Sequence, residues 1–250
     1  MSDPFSGCRV EASDRAGLVD RVARYGLAVV DSIGSAENLL RIARSIATIV
    51  PHRDSALNGV TTLVDLGKAE SIGFEGFSCR ALEPHTDRSG VSNPPVLLML
   101  ACARPGTTGG ECTLIDGQAV YADLAETAPG ALDALCSPRS VLFGGASGHI
   151  GAIFSPARGG LVSVRLRTDD LVQFSPAVER RLPALREAIE RHTLELPLEE
   201  GQGYFLNNAR WLHGRRAFTG HRVVHRVNGT PLPHLGIEAG FMPPARSVAG

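Results

Sequence analysis

The sequence has little that would direct it to a membrane, a nucleic acid or an oxidising compartment. Its longest apolar run, Val96 to Ala103, is eight residues, far short of the roughly 20 that cross a bilayer as a helix. Neither sign of charge dominates. Lys and Arg number 25 against 26 Asp and Glu, a net charge of −1, so there is no basic footprint for nucleic acid or for an anionic membrane. The stretch from Met1 to Arg15 mixes Asp, Glu and Arg and has no apolar signal core, and the expected location is cytoplasmic. Five cysteines (Cys8, Cys79, Cys102, Cys112, Cys136) are an odd number, and none forms a Cys-x-x-Cys pair. That argues against a disulfide framework or a structural zinc site, and reduced, mostly buried thiols are expected. Repeats, low-complexity tracts and linkers are also missing. With 43% hydrophobic residues in 250, residues 1–250 are expected to form a single domain around one well-buried core.

Short strands dominate what is there. Gly26 to Asp31, Val96 to Cys102, Glu111 to Asp116, Val141 to Phe143, Ala152 to Phe154, Leu161 to Leu166, Thr193 to Leu196, Gly203 to Asn207 and Val223 to Asn228 read as strands. Ser35 caps a predicted helix whose Leu39, Ile42, Ala43, Ile46 and Ile49 share one face, with Pro51 as its stop. Gln118 to Leu135 reads as two short helices parted near Pro129-Gly130. Ser175-Pro176 starts another helix, restarted at Pro183 and running to about His192, and the chain from Pro231 reads as loop. Many short strands at regular spacing point to a sandwich or barrel.

The chemistry gathers in a few places. In Pro84-His85-Thr86-Asp87, an extended backbone would put His85 and Asp87 on one face. His213, in Asn208-Ala209-Arg210-Trp211-Leu212-His213-Gly214-Arg215, follows a predicted strand and is a candidate third ligand. Two histidines and a carboxylate on one face of an octahedral ion leave three positions open, as in non-heme Fe(II) oxygenases. Two of these accept a bidentate 2-oxo acid and the third O2. A 2-oxo acid with a second carboxylate needs a fixed cation. Arg222 and Arg226 lie four apart and face the same side of a strand, and a guanidinium can hold a carboxylate bidentately. Thr113 is the candidate hydroxyl for the same carboxylate. The remaining histidines carry no assigned role, although His149, among Gly144, Gly145, Gly148 and Gly151, fits a mobile substrate loop better than a phosphate cradle, since no Gly-Lys-Ser/Thr follows. Trp211 reads as packing, and Arg210 and Arg215 as braces of the site.

These motifs resemble the TauD and clavaminate synthase-like family of Fe(II)/2-oxoglutarate dioxygenases. They are His85-Thr86-Asp87, Leu98 to Cys102, Gly109-Gly110-Glu111-Cys112-Thr113-Leu114-Ile115-Asp116-Gly117, Asn208 to Arg215 and Arg222 to Arg226, in order and spacing over roughly residues 80–230. The resemblance implies a mostly β fold with flanking helices, a double-stranded β-helix or cupin-like jelly roll with the site in its mouth. It implies His85, Asp87 and His213 as iron ligands, Thr113 and Arg222 on the 2-oxoglutarate tail, and Arg226 facing substrate. Phe143 to Ala146, Arg165 to Asp169, Phe174 to Pro176 and Asn228-Gly229-Thr230 are similar to the compact group that hydroxylates or halogenates free amino acids. There Asn228 and Thr230 match substrate-contacting positions. Arg88, next to Asp87, is a further candidate for an anionic part of the substrate.

The resemblance therefore implies Fe(II), with 2-oxoglutarate and O2 as co-substrates, and a small substrate, a free amino acid or derivative of specialised metabolism, with no nucleic acid or membrane partner. A homodimer stays open. Asp87 favours hydroxylation over halogenation, since halogenases of that group carry glycine there. Desaturation, cyclisation, a non-catalytic metal- or oxo-acid-binding module and a zinc hydrolase stay as alternatives.

Overall fold

The computed structural model describes residues 3–67 and 75–244. Two antiparallel sheets face each other. The larger runs in the order Arg9–Glu11, Leu27–Asp31, Gly203–Asn207, Leu97–Arg104, Val223–Pro231 and Ala47–Ile49, with Thr61–Leu63 also paired to Val223–Pro231. Its one parallel pairing joins Arg9–Glu11 to Leu27–Asp31. The smaller sheet has the order Thr193–Leu196, Cys112–Asp116, Trp211–Arg215 and Leu82–His85. This is the jelly-roll arrangement that the family resemblance implies, flanked by helices on both outer faces.

Three apolar layers hold the sheets together. Leu98, Leu100 and Cys102 meet Cys112, Leu114 and Trp211 between the sheets. Their neighbours Leu97, Met99 and Ala101 point the other way, into a layer shared with Leu18, Val22, Leu39 and Ile46 of two helices. Side chains alternate along a strand, so Leu97–Arg104 is buried on both faces and its sequence is a continuous apolar run. The third layer covers the outside of the smaller sheet, where Ile115 and Leu212 pack on helices Gly117–Thr127, Pro129–Leu135 and Leu182–Arg191. No helix among the described residues is long and apolar enough to cross a membrane.

Capping residues set the helix boundaries. Asp14 accepts from the Gly17 amide at the start of helix Arg15–Tyr25, a helix that the periodicity does not single out. Gly26 ends it in the left-handed region at φ 68, where a Cβ would stand 2.7 Å from the Arg210 side chain and 2.9 Å from Trp211, so only glycine fits. Ser35 caps helix Ala36–Ile46 as expected. That helix stops three residues earlier than predicted. Ala47 turns extended, and Ala47–Ile49 pairs with Val223–Pro231. The sheet edge offers these residues a hydrogen-bond ladder and a pleated surface suited to Thr48 and Ile49. Two further segments shift. The strand expected at Ala152 to Phe154 splits into His149–Gly151 and Phe154–Pro156, and that at Leu161 to Leu166 shortens to Val162–Val164. His213, expected after a strand, lies inside one, Trp211–Arg215. From Pro231 the chain is mainly turn and loop as far as residue 244, with residues 245–250 outside the described part.

Candidate active site

His85 ends the strand Leu82–His85 and pairs directly with His213 on Trp211–Arg215, with a register shift between His213 and Arg215. The two imidazoles stand 4.3 Å apart between ring centroids. Asp87 lies two residues beyond the strand and reaches the same place through a side-chain clamp. Its amide donates to Asn208 Oδ1 at 2.7 Å, while Asn208 Nδ2 donates to the Asp87 and Pro95 carbonyls, each at 3.0 Å. The loop after Asp87 is held by Arg165, whose guanidinium donates to the carbonyls of Ser89, Val91 and Ser92. Burial without a carboxylate partner brings Arg165 down to about 10.

The three side chains line one cavity of about 480 Å³, enough for a co-substrate and a small metabolite. Asp87 Oδ2 accepts from Asn228 Nδ2 at 2.8 Å, and Oδ1 lies 3.4 Å from Arg226 Nη1. Burial pushes the Asp87 carboxyl up, but Arg226, the two histidines and Asn228 outweigh it and hold it well below the usual range. Burial lowers both imidazoles, His213 the further because His85 stands beside it. His85 Nδ1 lies 2.9 Å from the Glu83 carbonyl. Donation there leaves Nε2 with a free lone pair. His213 Nδ1 is buried with no partner.

Among the described residues, no three His, Cys, Asp or Glu side chains are arranged to hold a metal ion as they stand. The donor set nonetheless fits one. It offers two neutral imidazoles, one of them with an orphaned Nδ1, and an ionised carboxylate.

The cavity wall also carries a buried cation. Arg222 is buried, lines the wall and has no carboxylate partner among the described residues; its Nη2 lies 3.8 Å from Cys112 Sγ. The Tyr204 hydroxyl is a hydrogen-bond neighbour of the same thiol. Burial pushes both the Cys112 thiol and the Tyr204 phenol up, so both are protonated donors.

Thr113 is the expectation the structure corrects. Cys112 and Leu114 face the inter-sheet layer, while Ile115 faces the outer one. Thr113 shares the outer parity and lies against Gly214, its cross-strand partner, with Oγ1 buried and unpartnered. Cys112 takes its place in the cavity. Thr230 is exposed, paired with Thr48 at the sheet edge, and is not part of the cavity wall. Arg88 and Arg226 line the cavity, whereas Asn228 lies outside its lining and donates to Asp87. Cys112, Tyr204 and His52 line it without having been assigned there. Arg215 braces the wall through the Gly76, Ser78 and Arg80 carbonyls, Arg210 pairs with Asp116, and Trp211 donates to the Tyr25 carbonyl.

No curated protein matches the sequence. Solved structures share the fold. An asparagine oxygenase in complex with Fe(II), 3-hydroxyasparagine and succinate superposes with a TM-score of 0.70 at 18% identity, over 88% of this chain and 78% of that one. The non-heme iron oxygenase OrfP, in complex with Fe and alpha-ketoglutaric acid, gives 0.65 at 16% identity, over 86% and 80%. Residues 5–228 match the family model described as taurine catabolism dioxygenase TauD, TfdA family. The chain belongs to the TauD/TfdA dioxygenase family.

Proposed function

We propose that this protein is an Fe(II)- and 2-oxoglutarate-dependent dioxygenase, a single unit over residues 1–250, that hydroxylates an unactivated C–H bond of a free amino acid or small amino-acid derivative. The observation that carries this is the lining of one cavity, which includes both two imidazoles with a carboxylate and a buried guanidinium with no carboxylate partner among the described residues. A 2-oxo diacid has a chelating group for the first and a carboxylate for the second. The fold shared with an asparagine oxygenase and with OrfP, also described in complex with (3S)-hydroxy-L-Arg, supports an amino acid as substrate.

His85, Asp87 and His213 hold the metal. When bound, Fe(II) supplies O2 activation, with 2-oxoglutarate oxidised to succinate and CO2 as one oxygen atom enters the substrate C–H bond. The protein's own contribution is positional. The Glu83 carbonyl orients His85, and burial keeps both imidazoles neutral, as ligation requires. Asn228 and Arg226 keep the Asp87 carboxylate ionised and aimed, and Arg226 also lines the cavity. Arg222 receives the tail carboxylate of the co-substrate, with Cys112 and Tyr204 as flanking donors. The carboxylate at position 87 fills the ligand site that halide would need, which favours hydroxylation over halogenation.

The test is anaerobic loading with Fe(II) and 2-oxoglutarate, then exposure to O2 with a panel of free amino acids, with and without chloride. Succinate should form in step with a product heavier by about one oxygen atom, the outcome oxygen insertion dictates. Metal binding that survives both Asp87→Ala and His213→Ala would refute the ligand assignment.

A further inference from the structure

Resting on the dioxygenase assignment above, we infer that the substrate is an amino acid with a second, side-chain carboxylate, received by Arg88. The inference follows from the charges lining the cavity among the described residues. Nearly every carboxylate there is already committed. Asp54 faces His52 at 3.1 Å and Arg53 at 3.4 Å. Asp169 is closed against Arg167 through both oxygens and also accepts from the Leu171 amide. Asp87 is held by Arg226 and Asn228. Glu75 keeps partners of its own. Glu83 is exposed at the rim.

The cations divide differently. Arg215 is spent on backbone carbonyls, and Arg222 is assigned to the co-substrate. Arg226 lines the cavity and gives Nη1 to Asp87, which leaves Nη2 for an α-carboxylate. Arg88 is left. It is half-buried and lines the cavity, and its one hydrogen bond goes from Nη1 to the Pro51 carbonyl at 3.0 Å. That contact orients the guanidinium and leaves its other donors free.

The backbone supports a dedicated role. Arg88 has φ 55, a left-handed conformation that a residue with a long side chain adopts at a cost. The Arg165 bonds to Ser89, Val91 and Ser92 hold the loop in that shape. The outcome is a fixed cation one residue from a metal ligand. A lysine- or arginine-like substrate would bring a second positive charge to this wall, with only the exposed Glu83 among the described residues to meet it. A side-chain carboxylate would find a fork that binds it bidentately.

The experiment is calorimetric titration of the enzyme, loaded anaerobically with Fe(II) and 2-oxoglutarate, with L-aspartate, L-glutamate, L-asparagine, L-glutamine, L-lysine and L-arginine. One of the acids should bind at least about tenfold tighter than its amide, a typical difference for a lost charge-assisted bond. Arg88→Gln should erase that preference and Arg88→Lys should keep most of it. Tighter binding of lysine, arginine or an amide, no binding of either acid, or an acid preference that persists in Arg88→Gln would overturn the inference. Loss of Fe(II) or 2-oxoglutarate binding by the wild-type protein would instead overturn the dioxygenase assignment.

Discussion

Asn208 is the side chain on which the placement of Asp87 turns, and replacing it should cost more than a typical polar substitution. It is 2% exposed and makes three hydrogen bonds to buried backbone groups of Asp87 and Pro95. Asn208→Ala strips the partner from one amide and two carbonyls at once. Leaving a buried polar group unpaired costs about 1–3 kcal/mol, and a water entering the space recovers part of it, so a net loss of about 3 kcal/mol is expected. For a chain of this size that lowers Tm by roughly 6–12 °C. Asn208→Asp separates the contributions. It preserves the acceptor for the Asp87 amide but turns a carboxylate toward two carbonyls, so it should be less stable than Asn208→Ala at neutral pH. Urea unfolding gives the stabilities, and Fe(II) titration should show weaker metal binding in both variants because the Asp87 backbone is freed. If both variants unfold within about 0.5 kcal/mol of the wild type, the range of an ordinary surface change, or if Asn208→Asp is the more stable, the clamp is not what places Asp87.

Arg222→Gln should weaken 2-oxoglutarate binding by about ten- to a hundredfold, the range for a lost charge-assisted pair. Calorimetry with the metal-loaded enzyme measures this, and an unchanged Kd would move the tail site elsewhere. Thr113→Ala should leave that Kd within about twofold, as for a group without a role, whereas Cys112→Leu should raise it; the reverse order would restore the hydroxyl assignment. Far from the site, Asp123 is held down to about 2, first by the Arg191 guanidinium, with Thr127 and His192 adding to it. A depressed carboxyl contributes stability above its unfolded value near 3.9, and that contribution is lost as pH falls from about 4 to about 2. Asp123→Asn should therefore flatten the fall of the urea midpoint over that window, and by less in high salt because Arg191 is half exposed.

Where the sequence could be read and where it could not has a physical pattern. Strand Leu97–Arg104 was legible because both its faces are buried, so its composition is continuous. Helix Ala36–Ile46 was legible by its period, but Ile49 fits a helical face and a strand equally well, and the sheet edge decided. Thr113 and Cys112 were not separable. In Cys112–Asp116 each face offers one small polarisable group and one aliphatic residue, Cys112 with Leu114 and Thr113 with Ile115, so the period of two gives the parity without its direction. Only the packing of Leu114 between the sheets and Ile115 outside them sets that direction.

Among the strands that pattern reading missed is Trp211–Arg215, and there the reason is functional. Its inward positions hold Trp211, His213 and Arg215 in place of aliphatic side chains, and its outward Gly214 makes room for Thr113. A strand that lines a site exchanges apolar residues for ligands and braces, and loses the alternation by which strands are recognised. Tyr204 went unassigned for the opposite reason. Gly203–Asn207 is buried at every position, and a phenol within such a run has the composition of packing. The difference lies in what stands opposite. Tyr204 stands beside Cys112 and Arg222 on the cavity wall, a neighbourhood set by the pairing of Gly203–Asn207 with Leu97–Arg104 and of Trp211–Arg215 with Cys112–Asp116. The metal-ligand set, brought together by short spacing and a single long-range pairing, could be proposed from motifs. The anion end, assembled from three strands in two sheets, required the fold.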